Sequence, residues 1–188
     1  MRLRPRIAGL FLLLAQLVLV LTVAANYLYE RRTCPRVWVR AGQYDPEMLI
    51  RGRYLALQPL LDGCALPRDR AHYIEGWKNP YNAAQSLGHW TWTVTLSTAN
   101  GQLVPHLATP TTRPSDTFEA TLWDAKPCNR TSVNAGLDYF IPELTKGPFP
   151  FKSGEELWVE VTVPPSGPPR PIQLAVSSAT GFQVLALH

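Results

Sequence analysis

Residues 89–107 read HWTWTVTLSTANGQLVPHL and decide the fold class. From His89 to Leu96, apolar residues alternate with threonine, and a period of two is typical of a strand with one buried face. Asn100-Gly101 then predicts a tight two-residue turn into a second strand, Gln102–Leu107. The segment therefore predicts a β-hairpin.

Similar strand patterns occur on both sides of this hairpin. The further predicted strands are Arg36–Arg40, Leu49–Leu60, Thr117–Trp123, Glu156–Val163, Ile172–Val176 and Phe182–Leu187. Asp45-Pro46 and Asn79-Pro80 resemble helix starts and predict one or two short helices. The proline-rich segment Pro164–Pro171 predicts a loop. Roughly seven or eight short strands predict a mainly β chain, with a compact antiparallel β-barrel or sandwich domain.

Length, composition and charge limit the function classes. The 188 residues leave room for one domain of ordinary size. Apolar residues make up 46% and charged residues 17%, which predicts a packed core rather than a disordered chain. The net charge of +4 comes largely from Arg2, Arg4 and Arg6, so we predict no nucleic-acid partner.

Ile7–Ala25 is an apolar stretch without any charged residue. As a helix it would extend about 28 Å, which matches the hydrocarbon core of a bilayer. Basic residues precede it and Tyr27 and Tyr29 follow, which predicts a single transmembrane helix with a cytoplasmic N-terminus. We therefore predict a cytoplasmic tip and anchor at 1–29 and an exported β domain at 30–188. Cleavage as a signal peptide after Val23-Ala24-Ala25 is the alternative.

The three cysteines, Cys34, Cys64 and Cys128, are spaced too widely for a zinc ribbon, so no metal site is predicted. In an oxidising compartment, one disulfide and one remaining thiol are expected. Cys34 and Cys64 flank the first two predicted strands, whose antiparallel pairing predicts a Cys34–Cys64 disulfide. A Cys64–Cys128 bond and three free thiols remain open alternatives.

Two motifs carry a family resemblance. Residues 45–59 read DPEMLIRGRYLALQP and residues 137–143 read LDYFIPE. In this order after an apolar segment, they resemble the GDYXXLXP proteins, a family of small membrane-anchored bacterial proteins. The matching positions are Asp45, Pro46, Arg51, Gly52, Tyr54, Leu57, Pro59, Tyr139, Phe140, Pro142 and Glu143. Arg53 departs from the family, which has Asp at that position.

The resemblance implies a location and a partner class. It implies a single-pass protein of the bacterial inner membrane with its C-terminal domain in the periplasm. Family members are often encoded beside a multi-span membrane protein, and their biochemical function is unassigned. We therefore expect an interaction or accessory module that serves a neighbouring integral membrane protein.

The chemistry of the motif residues favours structural roles over a ligand site. The predicted roles are an N-cap at Asp45, a bulge at Gly52, a packed side chain at Tyr54, a strand end at Pro59, and an ion pair between Arg51 and Glu143. A ligand site at the same residues is the alternative.

Enzyme signatures are missing from the sequence. There is no G-x-S-x-G elbow, phosphate-binding loop, G-x-G-x-x-G or H-E-x-x-H motif. His72, His89, His106 and His188 are not spaced for shared metal ligation. Asp138 and Glu143 are interpreted as loop-fixing groups rather than paired catalytic acids. The sequence therefore predicts no enzyme and no cofactor, with an unrecognised hydrolase site as the weakest hypothesis.

Six tryptophans follow the apolar stretch. Trp90 and Trp92 share a strand face and are predicted to be buried together. Trp38 and Trp158 lie on strands whose other face is aliphatic, which makes them better candidates for exposed contact or for resting on the membrane, while core packing is the default for any single tryptophan. The alternative function is therefore a periplasmic domain that binds a carbohydrate-like ligand through exposed tryptophans.

Overall fold

The computed structural model describes residues 5–45, 54–76, 87–140 and 152–185. The chain divides into two compact units, Met1–Cys34 and Pro35–His188. The first contains a long apolar helix and the second an antiparallel β-sheet. The predicted mainly β fold class is confirmed.

The helix of the first unit, α1, spans Pro5–Thr33. Its last turn contains Arg31 and Arg32, whose positive charges are favourable at the C-terminal end of a helix dipole. Its segment Gly9–Thr33 is long and apolar enough to cross a membrane, and the apolar side chains of this segment are not buried in the protein. A core helix would bury such side chains, so the length and composition of α1 fit a membrane anchor or a signal sequence.

The described residues of the second unit form one antiparallel sheet of eleven strands. The strands are β1 (Arg36–Asp45), β2 (Tyr54–Leu61), β3 (His72–Ile74), β4 (His89–Ala99), β5 (Gln102–Leu107), β6 (Phe118–Trp123), β7 (Thr131–Asn134), β8 (Leu137–Phe140), β9 (Glu156–Thr162), β10 (Arg170–Ser178) and β11 (Gly181–Val184). Their order across the sheet is β11-β10-β9-β1-β2-β7-β6-β4-β3, while β5 pairs with β4 and β8 pairs with β2. Short 3₁₀ turns form at Arg68–Arg70, Pro114–Asp116 and Cys128–Arg130.

Alternating side chains build the core. Along β9, Leu157, Val159 and Val161 are buried, while Trp158 and Glu160 project from the opposite face. β1 follows the same pattern, with one buried valine on each side of its tryptophan. Each fully buried aliphatic side chain stabilises the fold by about 1.5–3 kcal/mol relative to an exposed one. The alternation predicted for Glu156–Val163 is therefore confirmed.

The predicted hairpin is also observed. Asn100 and Gly101 have φ values of 52° and 73°, and two positive φ angles define the two-residue turn that matches the twist of paired strands. β4 and β5 pair from Val94 opposite Leu107 to Ala99 opposite Gln102.

The two motif segments lie side by side in the sheet. β2 pairs with β8 from Tyr54 opposite Phe140 to Leu57 opposite Leu137, and then with β7 at Leu60 and Leu61. Asp138 is therefore a strand residue, and its interpretation as a loop-fixing group is wrong.

Pro59 lies inside β2, so its prediction as a strand end is wrong. It is buried and still lies opposite Ala41 of β1. On its other side, it lies between the residues that pair with β8 and those that pair with β7. A proline has no N–H to donate, so this break between two partner strands tolerates it.

Several predictions fall outside the described residues. They are the side-chain cap at Asp45 and the turn beginning at Pro46, the bulge at Gly52, the charge reversal at Arg53, the packing of Tyr54, the Arg51–Glu143 ion pair, the position of Pro142, and the helix after Asn79. Of Asp45 and Tyr54, the structure describes the backbone: Asp45 ends β1 and Tyr54 begins β2.

Candidate functional site

A cleft opens beside β1 where β2 leaves it. β1 pairs with β9 from Arg36 to Ala41, but it pairs with β2 only from Arg40 to Asp45. At Leu60, β2 begins to pair with β7 on its other side. The strand β5 packs beside β1 without hydrogen-bonding to it. The divergence leaves an opening that we call the seam cleft.

The seam cleft has a volume of about 440 Å³. Ligand pockets typically measure about 300–1,000 Å³, with apolar walls and a few polar groups. The lining follows this pattern and consists of Trp38, Val39, Arg40, Leu60, Leu61, Asp62, Cys64, Ala65, Gln102, Leu103, Val104, Asn129 and Trp158. The strands β1, β2, β5 and β9 thus contribute to one small-molecule-sized site.

Two half-buried tryptophans line one side of the cleft. Trp38 on β1 and Trp158 on β9 lie on the outer face of the sheet, opposite the buried valines. Phe182 contacts Trp38 edge-on, with ring centroids 4.9 Å apart, and lies 6.1 Å from Trp158. By contrast, Trp92 is only 3% exposed, and its indole N–H donates to the Pro67 carbonyl. The prediction that Trp92 is buried is confirmed, while Trp90 is half-buried.

An ion-pair network borders the same tryptophans. Glu156 lies 3.0 Å from Arg40 through one carboxylate oxygen and 2.5 Å from Arg130 through the other. The Arg40 guanidinium also lies over the Trp158 ring, 5.6 Å from its centroid. All three charged side chains are partly exposed, so the network adds little to stability but fixes the orientation of Arg40.

The indole N–H of Trp158 has no hydrogen-bond acceptor among the described residues, although the nitrogen is buried. A buried donor without an acceptor loses its hydration without compensation. Such groups are rare in folded proteins, and a bound water or ion is one common explanation for them.

A disulfide joins two segments that line the cleft. The bond links Cys64 to Cys128, and the predicted Cys34–Cys64 pairing is wrong. Its physical cause is the strand divergence: beyond Leu61 the chain no longer follows β1, and Gly63 donates its backbone N–H to the Cys128 carbonyl instead. Cys34 is the free cysteine.

This disulfide also involves two of the three residues at the cleft that could otherwise bind a metal ion together. Ligand atoms of Asp62, Cys64 and Cys128 lie within 4.8 Å of one another. Zinc is bound by thiolates, and both sulfurs are instead bonded to each other. The Asp62 carboxylate accepts the Cys64 backbone N–H, which holds this side chain at the cleft.

A second aromatic group lies on the opposite half of the sheet, and we call it the edge cluster. It consists of Tyr73, His89, Trp90, Trp123 and Asp124. Tyr73 donates to the Asp124 carboxylate at 2.8 Å, and its ring lies 4.7 Å from that of Trp90. The hydrogen bond to Asp124 is the main cause that raises the pKa of Tyr73 above its ordinary value. The rings of His89 and Trp123 are also in contact, with centroids 4.5 Å apart and planes tilted by 39°.

One serine and one histidine lie within hydrogen-bond distance. His106 Nε2 is 2.9 Å from Ser97 Oγ on the β4–β5 hairpin. Nucleophilic catalysis also requires an acidic group that orients the histidine and donors that stabilise an oxyanion. The pair lies outside the lining of the seam cleft, and we interpret it as a cross-strand hydrogen bond.

The described motif residues do not line the seam cleft. Leu57 is in the core, Tyr139 is half-buried, and Phe140 is exposed. The sequence did indicate Trp38 and Trp158 as candidates for exposed contact. It missed Asp62, Gln102 and Asn129, because isolated polar residues beside turns are typical of any β protein.

No family model, curated protein or solved structure matches the chain. The site is therefore interpreted from its own geometry.

Proposed function

We propose that this chain is a single-pass protein of the bacterial inner membrane whose β domain acts in the periplasm. Its role is that of a non-catalytic accessory module for a neighbouring integral membrane protein. The observation that carries the proposal is the long apolar helix α1 followed directly by a β domain with a disulfide. Disulfides persist in the periplasm and are rare in the bacterial cytosol, which supports an exported domain.

The partner class rests on the sequence. The motifs at 45–59 and 137–143 resemble those of the GDYXXLXP proteins, which are often encoded beside multi-span membrane proteins. The pairing of β2 with β8 supports a shared structural role for the two motifs, because it brings them together in the sheet. An apolar helix that remains attached would keep the domain close to such a partner.

Cys34 allows a direct test of location, since it is the only free cysteine of the three in the sequence. In intact cells, a membrane-impermeant maleimide should label Cys34, and Cys34→Ser should abolish the labelling. In the Cys34→Ser background, Arg2→Cys should be labelled only after permeabilisation. Labelling of Arg2→Cys in intact cells would show that the topology is the reverse of the proposed one. A measured protein mass that lacks residues 1–25 would show a cleaved signal peptide.

The partner is tested by cross-linking and purification from solubilised membranes. We expect one multi-span protein to be enriched with the full chain. The matched control keeps α1 and replaces Pro35–His188 with an unrelated exported domain, and it should lose the partner. Equal recovery with both chains would contradict a role for the β domain.

A further inference from the structure

We infer that the seam cleft binds a neutral saccharide, with a sugar ring held beside Trp38 and Trp158. The proposed accessory role requires no small molecule, so this inference adds a ligand site to the β domain. It does not depend on which membrane protein is the partner.

The two tryptophans supply the kind of surface that a sugar ring needs. A pyranose has an apolar face of C–H groups, and the indole face is a large, electron-rich apolar surface. Trp38 is fixed by edge-on contact with Phe182, and Trp158 is fixed by Arg40 across the strand pair. Both rings are half-buried and line the same cleft, so they are oriented before any ligand arrives.

The polar groups of the cleft suit hydroxyl groups. Gln102 and Asn129 each offer a donor and an acceptor, and Asp62 offers acceptors only. A sugar hydroxyl both donates and accepts, so this mixed set can satisfy several hydroxyl groups at once. The indole nitrogen of Trp158, a lining residue, is buried and lacks an acceptor among the described residues. A ligand oxygen that reached this nitrogen would remove the cost of leaving it unpaired.

The charges around the cleft favour a neutral ligand over an anion. Arg40 is the only basic residue in the cleft lining, and Glu156 already neutralises it at 3.0 Å. The nearby Arg130 contacts the same carboxylate. Asp62 adds a negative charge to the lining. An anionic ligand would have to displace Glu156 and tolerate Asp62, whereas a neutral sugar leaves both interactions intact.

Covalent and backbone constraints hold the cleft open without a ligand. The Cys64–Cys128 bond connects the segments that carry Asp62 and Asn129. Gln102 directly follows the tight turn at Asn100-Gly101, which fixes the start of β5. A preformed site loses less conformational entropy on binding than a site that must first be ordered.

The test is a titration of the full chain in a zwitterionic detergent that has no sugar headgroup. Maltose, cellobiose and N,N′-diacetylchitobiose serve as neutral probes, and glucuronate serves as the anionic probe. Binding is followed by intrinsic tryptophan fluorescence and by calorimetry. We expect saturable binding of at least one neutral disaccharide with a Kd of about 1 mM or lower, and weaker binding of glucuronate.

Variants assign the binding to the cleft. Trp158→Ala should weaken binding about tenfold, while Trp158→Phe should retain most of it because a ring remains. Asn129→Ala should weaken binding roughly two- to tenfold. The matched control, Trp123→Ala, removes an exposed tryptophan of the edge cluster and should not change the affinity.

Three outcomes would overturn the inference. They are failure of all neutral probes to saturate, tighter binding of glucuronate than of every neutral probe, and unchanged affinity in a Trp158→Ala chain. Affinities are compared only for variants that keep the thermal stability of the wild-type chain. Trp158→Phe provides a well-packed substitute if Trp158→Ala does not fold. Failure of sugar binding leaves the labelling of Cys34 and the recovery of a membrane partner unaffected, so the two proposals fail separately.

Discussion

The seam cleft and the edge cluster place tryptophans on the two halves of one sheet and use them differently. In the edge cluster, the Tyr73 hydroxyl donates to Asp124 and the rings contact one another. In the seam cleft, the rings border an opening of about 440 Å³, and the Trp158 N–H has no acceptor among the residues described. Local strand geometry, rather than the number of aromatic residues, therefore determines whether a group of tryptophans borders an opening.

The largest expected effect comes from the disulfide of the seam cleft. Cys64 and Cys128 are 64 residues apart, and closing a loop of that length stabilises the fold by about 4 kcal/mol in the chain-entropy model. We expect the paired substitution Cys64→Ser and Cys128→Ser to lower the free energy of unfolding by about 2–5 kcal/mol. Urea denaturation with and without a reductant measures this loss.

Cys34→Ser is the matched control for this experiment, because Cys34 is the free cysteine. It should leave the free energy of unfolding unchanged. A loss in Cys34→Ser that matches the loss in the double variant would show that Cys34 takes part in the disulfide. Equal free energies of unfolding for the oxidised and reduced wild-type chains would show that the disulfide does not stabilise the fold.

A smaller effect is expected when alanine replaces one glycine beside each region, Gly63 near the seam cleft and Gly88 near the edge cluster. A Cβ at Gly63 would lie 2.3 Å from Thr131 Oγ1 and 2.9 Å from its Cβ, and Thr131 is fully buried. A Cβ at Gly88 would lie 2.1 Å from the Tyr73 hydroxyl oxygen, but Tyr73 is 39% exposed and can turn away. We expect Gly63→Ala to cost about 1–3 kcal/mol, and Gly88→Ala to cost less.

Thermal and urea unfolding of both variants measure this difference. A larger loss for Gly88→Ala would mean that the edge cluster, rather than the disulfide segment, is the more tightly packed region.

The sequence predicted the strands that have strong alternation. His89–Leu96, Gln102–Leu107 and Glu156–Val163 correspond closely to β4, β5 and β9, because each buries one face. It missed β3, β7 and β8, which are only three or four residues long. Such short strands depend on their partners in the sheet, and periodicity cannot detect them.

The candidate site was only partly predictable for a related reason. Trp38 and Trp158 could be assigned to the outer face of their strands, opposite the buried valines, from local alternation alone. The cleft exists because β2 exchanges one neighbour for another near Leu60, which is a property of the whole sheet. The same exchange directs Cys64 to Cys128, so it also accounts for the error in the predicted disulfide.

A third prediction concerns two of the motif residues, Arg51 and Glu143. Arg51 precedes Tyr54 by three residues, and Glu143 follows Phe140 by three, while Tyr54 lies opposite Phe140 in antiparallel strands. The sequence predicts an Arg51–Glu143 ion pair, and both residues lie outside the described part of the chain. We expect Arg51→Gln and Glu143→Gln to destabilise the chain by similar amounts.

In a double-mutant cycle, the combined change should cost about 0.5–1 kcal/mol less than the sum of the single changes. Additive losses would show that the two residues do not interact. If both single variants keep wild-type stability but lose the membrane partner, these residues form a binding site instead of a structural pair.

The smallest expected effect is the pH dependence of the edge cluster. The hydrogen bond to Asp124 and the nearby negative charges raise the pKa of Tyr73 above 10.0. Because the protonated phenol is the donor, its stabilising contribution is complete below pH 10 and is lost as the pH rises through the folded-state pKa. Tyr73→Phe should therefore slightly lower the free energy of unfolding near neutral pH, and the difference should vanish in strong alkali.

Urea unfolding on both sides of pH 10 measures the difference, and ultraviolet titration of Asp124→Asn should show a lower pKa of Tyr73. A difference that persisted in alkali would assign the effect to ring packing, and the polar contact that distinguishes the edge cluster from the seam cleft would then contribute nothing measurable.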